Sequence, residues 1–211
     1  MTTIELTDAA IGRGLGAAVP ALTLSAGPGA PTVVAVETDE RPMLVSMLLG
    51  GRLKPDTGTV TIDGSRSLDE VRRRTALVDT PTVAEPTAGA SLAVAVAEEF
   101  SFSGHSTSRT SVSRFLLEHG LREHEKLPLR ALPAGDRIRL FCELAALRAQ
   151  VTTIILTSPE RHGGDPAGWF ESLSEFAARG LTVIIVTDSA TRDLLVSLGA
   201  RDALAPATLE S

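Results

Sequence analysis

The chain has 211 residues, 43% of them hydrophobic and 22% charged, with a formal net charge of −6 at pH 7. That length suits one domain able to bury a sizeable core, and the balance is that of a globular chain. The acidic excess argues against a nucleic-acid groove, and no apolar run reaches the roughly 18 residues of a membrane span.

The opening residues, MTTIELTDAA, hold no basic segment ahead of an apolar one, so no secretory leader is expected. The one cysteine, Cys142, has no partner for an internal disulfide and fits a cytosolic setting. Residues 3–6 and 22–25 read as edge strands. The run TVVAV at 32–36 is continuously apolar, as in a buried parallel strand. A helix is predicted over 42–49, with proline in its first turn behind acidic residues. Short strands follow at 60–62 and 75–78. Residues 79–90, rich in Pro, Thr, Ala and Gly, read as loop. Helices are predicted at 91–100 and 111–119, separated by the polar run SFSGHSTSR, and a strong one at 137–149. Buried strands at 153–157 and 182–187 are each followed by a helix, at 169–178 and 191–198. Trp169 and Phe176 share one helix face, placed to pack on the sheet. This alternation predicts a mainly parallel α/β sheet with helices inserted between about 81 and 149. No internal repeat is visible.

The most telling stretch is residues 32–64, TVVAVETDERPMLVSMLLGGRLKPDTGTVTIDG. It resembles the strand, phosphate-binding loop and first helix of ABC-type ATPases. Leu48, Leu49, Gly51, the KPDTG at 54–58 and Val60 to Gly64 follow that family's text closely. The loop itself departs from it. Counted back from Lys54 without a gap, its positions are Val36, Glu37, Thr38, Asp39, Glu40, Arg41, Pro42, Met43 and Leu44. None is glycine. Pro42 stands where the lysine belongs, and Met43 where the Mg²⁺-binding Ser or Thr follows it. Glycines let several backbone N–H groups converge on an anion at a helix start. The lysine then reaches the phosphates and the hydroxyl holds the metal. Glu37, Asp39 and Glu40 instead bring three carboxylates to that point. They read either as a capped structural helix or as an anion site filled by the chain's own acids.

The resemblance continues in order along the chain. Ile11, Gly12 and Arg13 stand where an aromatic usually stacks on adenine, and no aromatic precedes Phe100. The loop that usually holds glutamine reads Asp79, Thr80, Pro81. The signature loop reads Leu132, Pro133, Ala134, Gly135, Asp136. In IILTSP at 154–159, Thr157 replaces the Mg²⁺-binding aspartate and Ser158 the catalytic glutamate. A GDP remnant stands at 164–166, and the switch histidine becomes Asp188. The resemblance implies a P-loop NTPase-like ABC nucleotide-binding domain over 1–211. Its expected form is a mainly parallel sheet with an antiparallel N-terminal β part and a helical insertion.

The substitutions together remove the lysine, the metal ligands and the water-orienting group that phosphoryl transfer needs. The resemblance therefore implies a relative of ABC transporter ATP-binding domains that has lost ATP binding and hydrolysis. No catalytic residue, no metal and no cofactor are expected. Its role would be that of a scaffold or regulatory subunit in a membrane transport complex. The alternative is a true ABC-type ATPase subunit, taking ATP and Mg²⁺ weakly or pairing with an active ATPase. The implied partners are a membrane subunit, another ABC-type ATPase subunit, or both, and no nucleic acid. The implied location is cytoplasmic, peripheral on the inner face of the membrane. By the same resemblance, residues 79–91 line a groove that receives the membrane subunit. Four other sets of residues offer candidate chemistry: Glu160 as a displaced base, Asp165 with Asp188 as a metal pair, His119 with His124 as zinc ligands, and residues 161–164 as an anion nest. Each has a plainer reading as a helix cap, a helix end or a connecting loop.

Overall fold

The computed structural model describes residues 1–36 and 40–204. The chain begins with strands β1 (Ile4–Ile11), β2 (Val19–Ala26) and β3 (Thr32–Ala35), then helix α1 (Arg41–Leu49). Next come β4 (Thr57–Ile62), α2 (Leu68–Arg74) and β5 (Thr75–Val78). Helices α3 (Leu92–Ser103), α4 (Arg109–Glu118) and α5 (Ala134–Ala146) separate β5 from β6 (Thr153–Thr157). The chain then passes through α6 (Pro166–Ala178), β7 (Thr182–Thr187), α7 (Ser189–Ser197) and β8 (Arg201–Asp202).

The strands form two sheets. A five-stranded one runs β5-β6-β7-β3-β8, with every pairing parallel. A three-stranded antiparallel one runs β2-β1-β4. The expected mixture of a parallel sheet and an antiparallel N-terminal part is therefore observed. β1, expected at an edge, is instead the centre of the small sheet, because β4 pairs along its other side. The register between β1 and β4 shifts between Thr7 and Ala10. Gly58 lies opposite with φ of +71°, and a Cβ there would come 2.2 Å from the Asp8 carbonyl oxygen. Only glycine lets the two backbones approach so closely.

Alternate residues of the parallel strands face opposite cores, as the two-residue period of a strand requires. Val33, Ile154, Leu156, Val183 and Ile185 pack with α3 to α7 on one face. Val34, Ile155, Ile184 and Val186 pack with α1 and the small sheet on the other. Trp169 and Phe176 are buried in the first of these cores, as their shared face predicts. Cys142, on α5, is fully buried in the same core, and burial pushes its thiol pKa far up.

One helix, α2, was not predicted. It is short, and its ends carry its signal: the Ser67 hydroxyl accepts from the Glu70 N–H, acids occupy the first turn and three arginines the last. Those charges match the helix dipole.

Candidate functional site

The carboxyl ends of β5, β6, β7 and β3 lie together at one end of the parallel sheet, where open α/β sheets bind ligands. At this end the Val36 N–H donates to the Thr187 carbonyl at 2.8 Å. Glu37, Thr38 and Asp39 lie outside the described residues. Glu40 occupies the position before α1, and its side chain makes no cap hydrogen bond. Its backbone is already helical, so it does not cap α1 in the usual way, and the expected filling of this point by carboxylates otherwise rests on Glu37 and Asp39. The Arg41 guanidinium turns to the Ala18 carbonyl at 3.0 Å. The Met43 sulfur faces the Thr82 hydroxyl at 3.3 Å.

Beneath the start of α1, three buried hydroxyls join in a string. Thr157 Oγ1 donates to Ser46 Oγ at 2.7 Å and lies 2.8 Å from Thr80 Oγ1. A hydroxyl has one proton, so Thr80 is the donor in the second contact. All three side chains are at most 1% exposed. The string is neutral and its bonds close within the protein.

One residue before Thr80 stands a charged cluster. Asp79 has a left-handed backbone, with φ of +54°, and is 6% exposed. Arg137, in the first turn of α5, grips its carboxylate with Nε and Nη2, each at 2.7 Å. His162 Nε2 lies 2.7 Å from the same carboxylate, and Arg161 donates to the Asp79 carbonyl at 2.7 Å. Arg161 also meets Glu85 at 3.1 Å. Burial pushes the Asp79 pKa up, but the hydrogen bonds and charges of Arg137 and His162 outweigh it and hold the carboxyl well below the usual range.

The remaining candidates are dispersed around this end. Ser158 is left-handed, with φ of +47°, and its N–H donates to the Val186 carbonyl at 2.7 Å. Glu160 accepts from the Thr187 hydroxyl at 2.6 Å, and its pKa is raised, chiefly by burial. Asp188 caps α7 through the Thr191 N–H at 2.7 Å, and Asp165 caps α6 through the Ala167 N–H at 3.0 Å. Both are therefore helix caps. Leu132 and Ala134 are buried, Pro133 stands at the start of α5, and Asp136 faces Arg139 at 3.7 Å. A Cβ added at Gly164 would come 3.1 Å from Ala134 Cβ, so Gly135 and its neighbours stand beside the GDP remnant. His119 stacks near Phe115, with ring centroids 4.2 Å apart. Among the described residues no three His, Cys, Asp or Glu side chains converge as a metal site.

No protein-family model matches this chain, and no curated protein sequence matches it. Solved structures do. A nucleotide-free ATP-binding cassette from an ABC transporter superposes with a TM-score of 0.69 at 15% identity, covering 93% of this chain and 85% of its own. A putative ABC transporter ATP-binding protein from Pyrococcus furiosus gives 0.65 at 16% identity, covering 89% and 92%. CbiO1 from Clostridium perfringens, part of the ABC transporter complex cbiONQ, gives 0.61 at 19% identity, covering 88% and 78%. The fold is that of an ATP-binding cassette.

The cassette neighbours correct one expectation. The reading that no cofactor belongs here rested on the side chains of the loop. The solved structures that share the fold are cassettes described as ATP-binding, so that reading does not stand. The physical reason is that a helix start attracts phosphate through backbone N–H groups and its dipole. Those of Arg41 and Met43 remain, although Pro42 contributes none, and the Glu40 side chain makes no cap bond at the start of α1. The metal is a different matter. Thr157, the residue expected in place of a Mg²⁺-binding aspartate, has its hydroxyl already bonded to Ser46 and Thr80. The described residues do not fit a divalent ion at Thr157.

The Asp79 cluster escaped the sequence reading, which noted only that glutamine was missing. Its partners lie 58 and 82 residues away along the chain. An acid directly after a strand, with an arginine opening a later helix, was the one available hint.

Proposed function

We propose that this chain is a cassette subunit of a membrane transport assembly that does not hydrolyse ATP by itself and serves as scaffold or regulator. The observation that carries this is the end of β6, where Thr157 is buried and its hydroxyl is spent on Ser46 and Thr80. Phosphoryl transfer to water needs a metal to neutralise charge and a group that orients the water. Neither stands at Thr157 or Ser158, and Glu160, two residues past Ser158, is tied to Thr187. The reading concerns hydrolysis and leaves ATP as the ligand to test at α1. Phosphate release from Mg²⁺-ATP by the purified chain is expected to match a protein-free blank, with ATP binding followed separately by calorimetry. Mg²⁺-dependent release that vanishes in Glu160→Gln would overturn the proposal and make Glu160 the base.

A membrane subunit is the partner this reading requires. Val83, Ala84, Glu85 and Pro86 line a cavity of about 280 Å³ together with Arg52 and Phe102. Phe102 is 65% exposed. These are the loop residues expected to receive a membrane partner: Phe102 offers an exposed aromatic contact, and Arg52, Glu85, Glu98, Glu99 and Arg148 form a charged rim around it. On this reading the chain sits peripherally, on the cytoplasmic face of the membrane; no helix among the described residues is long and apolar enough to cross it. Val83→Asp with Ala84→Arg is expected to leave the fold intact and release the protein from membranes. Equal recovery of the wild type and the double variant would move the dock elsewhere.

Glu40 makes no cap bond at the start of α1, which favours a second arrangement, in which this chain binds ATP beside an active ATPase subunit. Co-purification with an intact ATPase, and a higher hydrolysis rate in the mixture than in that partner alone, would support it.

A further inference from the structure

Helices α3 and α4 leave a groove of about 520 Å³ between them, floored by Ala93, Val94, Ala97 and Val112. Arg109, on its wall, also lines a second hollow of about 410 Å³ that runs past Arg114 to Leu117. Val94 in the first hollow and Leu117 in the second are 57% and 63% exposed, so each hollow offers some open apolar surface. Arg109 and Lys126 flank the first hollow, and Arg114 flanks the second. All three are exposed, and among the described residues none of them forms an ion pair. Glu125, the carboxylate of the groove, is engaged by Arg122 at 3.1 Å and by the Ser113 hydroxyl at 3.0 Å. In a chain of net charge −6, this is a local reversal of sign.

We propose that this groove receives an acidic amphipathic helix of a partner protein, with its apolar side on the alanine and valine floor and its carboxylates toward Arg109, Arg114 and Lys126. An apolar floor walled by cations matches a helix that carries one apolar face and one acidic face. The arginine fork suits carboxylates held at two points. The shape argues for a helix over a lipid surface: a bilayer is flat on this scale, whereas a helix about 10–12 Å across can lie in a recess. The basic wall is complementary in charge to such a helix. The site needs neither ATP nor the cavity beside Phe102, so it goes beyond the subunit reading.

The test uses the full chain and a fluorescent synthetic helix with leucines on one face and glutamates on the other. Anisotropy is expected to show binding that weakens as salt is added. Two changes are each expected to weaken it about tenfold or more: replacing the probe's glutamates by glutamine, and reversing Arg109, Arg114 and Lys126 to glutamate. The reversed positions are exposed, and an unchanged melting temperature checks the fold. Should the triple variant not fold, the glutamine probe and the salt series on the wild type still decide the matter. Three outcomes overturn the proposal: no binding of the acidic probe, equal binding of the acidic and glutamine probes, or binding of phosphatidylserine vesicles with no binding of the probe.

Discussion

At the carboxyl ends of β5 and β6, Ser46, Thr157 and Thr80 form a neutral string, while Asp79, one residue before Thr80, gathers Arg137, Arg161 and His162. The hydroxyls and the Asp79–Arg137 pair are buried, Arg161 and His162 half-buried, and both groups join segments distant in the chain. Hydroxyls lose little on leaving water so long as each finds a partner. A buried carboxylate survives only if cations and donors surround it. The neutral string thus fills the floor of the nucleotide end without leaving charge for a metal to answer. The ionic cluster ties α5 and the loop after β6 to the end of β5, and stands only while it is complete.

The comparison predicts unequal costs. Asp79→Ala strands the Arg137 guanidinium in the core and is expected to lower unfolding free energy by about 3–5 kcal/mol, measured in urea. The same carboxylate sets an acid limit. Its pKa in the folded protein is depressed from the unfolded value of about 3.9. Its contribution is therefore complete above that value and is lost as pH falls toward the folded-state pKa. Asp79→Asn should flatten that acid slope in urea melts. Thr157→Val keeps the shape and removes the middle hydroxyl, leaving Ser46 and Thr80 without that partner, for about 1–3 kcal/mol. A loss as large as that from Asp79→Ala would erase the distinction between the two clusters. Asp188→Ala removes only a helix cap, about 1 kcal/mol. A larger loss would mean that Asp188 belongs to a wider network than α7.

The smallest effect is expected at Glu160, and it has the opposite sign to that of Asp79. Burial raises its pKa, with the Thr187 hydroxyl bond partly offsetting the rise. The folded protein then holds that proton more tightly than the unfolded chain. Stability from this group falls as pH rises from about 4.3 through the folded-state pKa. Glu160→Gln should remove that decline and leave the acid slope of Asp79 unchanged.

Much of the fold was legible because its signals are local. The strands at Thr32, Thr153 and Thr182 are runs of apolar and β-branched residues, and they begin where the sequence placed them. The central place of β1 depends on which strand pairs with it, and strand pairing is not written in a strand's own composition. At the site, sequence order marked Thr157 and Ser158 as substitutions but could not show that Ser46 and Thr80 would close around Thr157. The Asp79 cluster was hidden for the same reason, since each of its bonds bridges dozens of residues. The cofactor reading failed from the other direction: it weighed side chains alone, and the solved cassettes that share the fold are described as ATP-binding.

Cys142 lies on α5, sealed in the core that the Asp79–Arg137 grip holds against the sheet, and burial keeps its thiol protonated. A thiolate-seeking reagent therefore meets it only in those moments when α5 lifts away. Alkylation under native conditions becomes a clock for that opening, read at the chain's single sulfhydryl without any added label.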